Sequence, residues 1–175
     1  VRKELRRQMY LVQRMCAASM DLIPHFGEGR ARDIRYIELV VDNLRRELNR
    51  YLMKISRGGL SAELSRKLFA YSGISDDIER IGNHAVYVVD LARERHRGDI
   101  EFTRWAYAEI EEIADLINRN MEDAVSLLDG VSSELISRIF SREDRIDRLV
   151  REARKRHQER YLSCICQPEA GPIYV

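Results

Sequence analysis

Apolar residues recur alternately three and four positions apart through five long stretches, and a chain patterned this way buries them only as amphipathic helices packed side by side. The first stretch carries Leu5, Met9, Val12, Cys16 and Met20, and Pro24 with Gly27 ends it. The second carries Ile34, Ile37, Val41, Leu44, Leu48, Leu52 and Ile55, stopped by Gly58 and Gly59 where a left-handed cap fits. Ser61 is placed to cap a third helix with Leu64, Leu68, Tyr71, Ile74, Ile78, Ile81, Ala85, Val88 and Leu91 on one face, ending near Gly98. A fourth shows Trp105, Ile113, Leu116, Ile117, Met121, Ala124 and Leu128, and after Gly130 a fifth, capped by Ser132 or Ser133, uses Ile136, Ile139, Ile146, Leu149 and Ala153. Beyond Tyr161, Pro168, Gly171 and Pro172 impose a turn that barely begins another helix. The expected fold is an all-α antiparallel bundle.

Composition narrows the function. Thirty basic residues against twenty-nine acidic ones leave a net charge of +1, so no global field draws the chain to nucleic acid. No uncharged apolar run is long enough to span a bilayer, and no signal-peptide pattern opens the chain. Cys16 stands alone, and Cys164 with Cys166 has no second pair at zinc spacing, which fits reduced thiols in a cytoplasmic setting.

The chain also repeats itself. At an offset of 105 positions Glu38, Asp42, Leu44, Arg46 and Glu47 match Glu143, Asp147, Leu149, Arg151 and Glu152 without a gap. At the same offset Leu5 lies over Ile110, Leu11 over Leu116, Val12 over Ile117 and Leu22 over Leu127. Two three-helix units follow, residues 1–98 and 99–175, with the second lacking most of its third helix, because the counterpart of Glu79 falls past Val175. The open seam left beside the fourth and fifth helices is expected to find cover in an oligomer or a neighbouring domain.

Glu38 and Asp42 lie one turn apart on one helical face, as do Glu143 and Asp147. Each glutamate follows a stripe isoleucine, Ile34 or Ile139, by four, so a carboxylate borders the core and needs a compensating cation. Glu79 and Asn83 on the third helix bring a second set of oxygens. Together these could hold iron, manganese, magnesium or calcium, or the carboxylates could be neutralised by Arg35, Arg45, Arg46 and Arg80. Gly82, inside that helix, marks either close helix packing or the approach of a ligand. His84, near the stripe, reads as a structural core histidine; His25, His96 and His157 lie at helix ends or on charged faces; and the run Arg151 to Arg160 reads as a solvated face. Nothing resembles a nucleophile with a base, and the Glu-x-x-His pairs of bundle-borne iron enzymes are absent, so an enzyme is not expected.

The segment Glu79-Arg80-Ile81-Gly82-Asn83-His84-Ala85 resembles the E-R-I-G-D-H-A signature of PhoU-like domains, and the two Glu-x-x-x-Asp motifs resemble that family's metal-binding pairs. Tyr51-Leu-Met-Lys-Ile-Ser56 before Leu60-Ser61, and Cys166-Gln-Pro-Glu-Ala-Gly-Pro-Ile-Tyr174, look like the PhoU-like tails of sodium/phosphate cotransporter-type membrane proteins. The resemblance implies a tandem of three-helix bundles that regulates phosphate uptake from the cytoplasmic side, attached to a membrane domain preceding Val1, with metal on Glu38, Asp42, Glu79, Asn83, Glu143 and Asp147. Its partners would be the transporter's membrane domain or phosphate transport and sensor proteins, with homo-oligomers expected. A free-standing PhoU-type regulator of an ATP-driven transporter and its sensor kinase, or a helical scaffold without metal, are the alternatives. Asn83 stands where the signature has aspartate, removing one negative ligand.

Overall fold

The computed structural model describes residues 1–174. Its elements are α1 (Arg2–Asp21), α2 (Glu28–Ser56), α3 (Ala62–Arg97), α4 (Arg104–Leu127), α5 (Ser133–Leu162), a 3-10 turn (Pro168–Ala170) and α6 (Gly171–Tyr174), with no strand among the described residues. Three helices begin on hydroxyl caps: Ser61 Oγ accepts from the Leu64 amide, Thr103 Oγ1 from Ala106 and Ser132 Oγ from Leu135. After α2, Gly59 takes the left-handed conformation, φ 71°, that the paired glycines lead one to expect.

Helices α1, α2 and α3 pack on one another, with α3 parallel to α1 and antiparallel to α2. Leu5, Val12, Met15, Leu22, Ile34, Val41 and Val89 are almost fully buried between them. The expected face of α3 is shifted. Its buried line is Leu68, Ser75, Ile78, Gly82, Ala85, Val89 and Ala92, whereas Leu64 and Ile74 are exposed. A helix wedged between two others has an apolar edge toward each, and the deepest line between those edges has room only for small side chains. Gly82 lies on that line: a methyl group there would meet Val12 Cγ2 at 3.5 Å and Met15 Cε at 3.7 Å, an ordinary contact. Close packing against α1 accounts for this glycine. His84 is exposed, against the expectation of a core histidine. One polar pair pins α1 against α3 in this core, the Ser75 hydroxyl donating to Gln8 Oε1 at 2.9 Å with both residues fully buried.

Helices α4 and α5 form an antiparallel hairpin, and α4 docks on α1, with Ala124, Val125 and Leu128 meeting the first core. At the repeat offset α5 falls on residues 28–57, within one residue of α2. Little of this hairpin is deeply buried: Ala106, Leu116 and Met121 on α4, and Ala153, His157 and Arg160 on α5.

The last two correct the reading of Arg151 to Arg160 as a solvated face. Arg160 grips Glu109 with both terminal nitrogens, at 2.9 and 2.8 Å, and Arg156 Nε adds a contact at 3.0 Å. Tyr174 donates its hydroxyl to the same carboxylate and stacks on His157, 4.9 Å between centroids. The tail after α5 therefore folds back over the end of the hairpin and excludes water from the Arg160 face.

Burial pushes the Glu109 carboxyl up, but hydrogen bonds from Arg160 and Tyr174 and the charges of Arg160 and Arg156 outweigh it, holding the group below the ordinary carboxylate range. A carboxyl depressed in the fold stabilises it above the unfolded-state pKa and loses that effect as pH falls through the folded value. Glu109→Gln should thus cost about 3 kcal/mol at neutral pH by leaving Arg160 uncompensated. The penalty, read as a drop in Tm, should shrink on acidification. At Gly82, exchange for alanine should raise Tm by about 2–4 °C, since the methyl fits and alanine favours helix by about 1 kcal/mol. Gly82→Leu, by contrast, should lower Tm sharply by overpacking the α1 contact.

Candidate metal and regulatory site

Four positions on α2 and four on α3 face each other in a polar ladder along one edge of the first core. The α2 residues are Glu38, Asp42, Arg45 and Asn49; those on α3 are Ser72, Asp76, Glu79 and Asn83. Both sets step by four, three and four, the period that keeps side chains on one helical line. Because the helices are antiparallel, Asn49 meets Ser72 and Arg45 meets Asp76, and Glu38 lies near enough to Glu79 for their charges to interact.

The lower end of the ladder is fully engaged. The Ser72 hydroxyl donates to Asn49 Oδ1 at 2.8 Å, Asn49 Nδ2 donates to Asp76 Oδ1 at 3.2 Å, and Arg45 Nη1 reaches the same oxygen at 3.4 Å. In the middle Arg45 Nη2 donates to Asp42 Oδ1 at 2.9 Å, and Arg46 Nη2 contacts Asp42 Oδ2 at 2.8 Å, so both Asp42 oxygens face arginine. At the upper end Asn83 Nδ2 donates to Glu79 Oε1 at 2.9 Å. Glu38 has no hydrogen-bonded or ion-paired partner among the described residues. Burial raises its pKa above the ordinary carboxylate range, the negative charges of Asp42 and Glu79 raise it further, and Arg35 and Arg46 oppose them.

The first-repeat residues singled out from sequence, Glu38, Asp42, Glu79 and Asn83, therefore share one face. Glu143 and Asp147 do not join them: both are exposed on α5, away from the ladder. Sequence reasoning missed Asn49, Ser72 and Asp76, although the common four-three-four spacing of polar residues on both helices was the signal that could have found them.

As a metal site the ladder is made of the hard oxygens that iron, manganese and magnesium accept. Negative charge at its Glu38–Glu79 end is only partly offset, by Arg35 and Arg46, which suits a cation. Among the described residues no three His, Cys, Asp or Glu side chains stand close enough to hold an ion as they are. Recruiting Asp42 would break its contacts with Arg45 and Arg46, so cation and arginines compete for the same carboxylate.

A carboxyl whose pKa is raised by folding detracts from stability above that range, and the detraction vanishes as pH falls through the folded value. Glu38→Gln should consequently raise Tm by about 1–2 °C at neutral pH, from roughly 0.5 kcal/mol of relieved like-charge repulsion. The gain should shrink on acidification as the Glu38 carboxyl takes up its proton; an equal gain at neutral and acidic pH would show that charge is not its source.

No curated protein and no solved structure matches the chain. The model of the PhoU domain matches residues 5–92, which is half of the chain and contains both helices of the ladder. No described helix is long and apolar enough to cross a membrane. With the all-helical fold and the carboxylate ladder inside the matched segment, the chain belongs to the PhoU domain family.

Proposed function

We propose that this chain is a regulatory domain of phosphate transport that works by binding, without catalytic turnover, and that its two repeats are residues 1–98 and 99–175. Family membership supports the phosphate role. The carrying observation is that the negative charges of Asp42 and Glu79 bear on Glu38, a carboxylate without a hydrogen-bonded or ion-paired partner among the described residues. A hard cation, iron, manganese or magnesium, would be held by Glu38, Glu79 and the Asn83 amide oxygen, with Asp42 released from its arginines. When bound it would supply positive charge that locks α2 to α3, and the chain's own residues would transmit that locking to a partner surface. The partner is the membrane domain of a sodium/phosphate cotransporter-type protein, with the domain on its cytoplasmic side; a free-standing regulator of an ATP-driven transporter and sensor kinase is the alternative context.

One observation favours a second reading. Arg45 and Arg46 already neutralise Asp42, so the ladder can act as a metal-free structural seam.

Metal titration followed by elemental analysis separates the two. Binding should be lost in Glu38→Ala/Asp42→Ala and should tighten by roughly tenfold in Asn83→Asp, which restores a negative ligand. Undiminished binding in the double variant, or equal affinity before and after Asn83→Asp, would leave the metal-free reading standing. In cells, deleting the domain should relieve the restraint on phosphate uptake at high external phosphate; unchanged uptake would remove the phosphate role.

A further inference from the structure

The turn between α2 and α3 closes one end of the first three-helix unit in a basic tip. From Asn49 to Ser72 five basic residues stand against one acidic, a net charge of +4, whereas the whole chain carries +1, so everything outside this segment sums to −3. Lys54, Arg57 and Arg66 are exposed and have no hydrogen-bonded or ion-paired partner among the described residues. Arg50 and Lys67 meet Glu47 and Glu63 on their own helices, and exposed pairs of this kind yield readily to another anion. Both helices run on for many turns beyond the tip, which is therefore an interior feature of the chain.

Apolar side chains are set among these cations. On α2, Arg50, Met53 and Arg57 follow one another three and four residues apart along one line, and on α3 Arg66 and Phe69 are three apart. Phe69 is 83% exposed and Met53 60%. The two line a cleft between the helices together with the buried Leu52 and Leu68. An acidic peptide would answer the cations but leave Phe69 and Met53 in water. The boundary between headgroups and acyl chains of an anionic bilayer answers both, taking in the apolar groups while long basic side chains stay level with the lipid charges.

Charges farther along fix the orientation. The cleft ends at Asn49 and Ser72, the lowest rung of the carboxylate ladder. Asp76, Asp42, Glu79 and Glu38 follow along the same edge, and a negative surface repels them. The basic end is drawn in and the acidic edge is held off.

We infer that the α2–α3 tip binds the surface of an anionic lipid bilayer, with Met53 and Phe69 entering the interface and the surrounding lysines and arginines contacting the headgroups. The contact needs neither a metal on the ladder nor a role in phosphate transport.

Vesicles of about 30% phosphatidylglycerol in phosphatidylcholine should carry the chain down on sedimentation, pure phosphatidylcholine vesicles should not, and raising the salt from about 0.1 to about 0.5 M should release it. Arg57→Glu/Arg66→Glu should weaken binding at least tenfold. Met53→Ser/Phe69→Ser should weaken it roughly tenfold. Both variants should keep the helical circular-dichroism spectrum, since all four side chains are exposed. Arg148→Glu/Arg151→Glu, which makes the same change of net charge on exposed positions of α5, should bind as the unaltered chain does. Phe69→Trp in a Trp105→Phe background should emit at shorter wavelength once anionic vesicles are added. A chain that stays in solution with those vesicles overturns the inference and leaves the tip to an acidic protein. Equal binding to neutral vesicles, or an equal loss in the α5 variant, overturns it as well, because the charge of the tip would then not be what the bilayer reads.

Discussion

The arrangement rests on the narrow line of small residues along α3. Ser75, Gly82, Ala85 and Ala92 let that helix sink between α1 and α2 until all three share one core. Were the line filled by leucine or isoleucine, α3 would stand further out and the two helices it separates would splay. The polar ladder depends on this depth: with α3 seated low, its outer edge comes level with that of α2, and Ser72 and Asp76 reach across to Asn49 and Arg45. Apolar packing thus sets the register, and the carboxylates follow.

The ladder also shows how one face can be tied together at one end and electrostatically unbalanced at the other. Around Asp76 the polar groups are tied to one another, with Arg45, Asn49 and Ser72 in one hydrogen-bonded chain. Toward Glu38 and Glu79 the acidic groups outnumber the cations that touch them. Networks closed at one end rigidify a site, while an unbalanced end supplies the free energy for binding a counter-charge.

Much of this was legible in the spacing of residues. The helix starts at Ser61 and Ser132 and the stop at Gly58 and Gly59 follow from local chemistry and helical period, so they needed no knowledge of tertiary contacts. What escaped depended on neighbours distant in sequence. The buried line of α3 was displaced by one residue because contact with two helices selects small side chains that hydrophobicity undervalues. Arg160 and His157 looked solvated because the group that covers them, Tyr174, arrives by a turn whose path the residues alone do not define. His84, assigned to the core by spacing, lies just outside the arc that the two neighbours enclose.

A mechanical consequence attaches to the length of α3. Its 36 residues make a rod of roughly 54 Å, with the Glu79–Asn83 turn near mid-span. At its far end the joint into α4 is stiff, since Arg95 Nη1 donates to the Ile100 carbonyl at 2.8 Å and Ile100 is buried. Such a rod behaves as a lever with its fulcrum at the ladder. A tilt of about two degrees there displaces each tip by roughly 1 Å, a movement large compared with the tolerance of a packed interface. Under the proposed function, a change of charge balance beside Glu38 would in this way be geared up to the scale at which a neighbouring protein can register it.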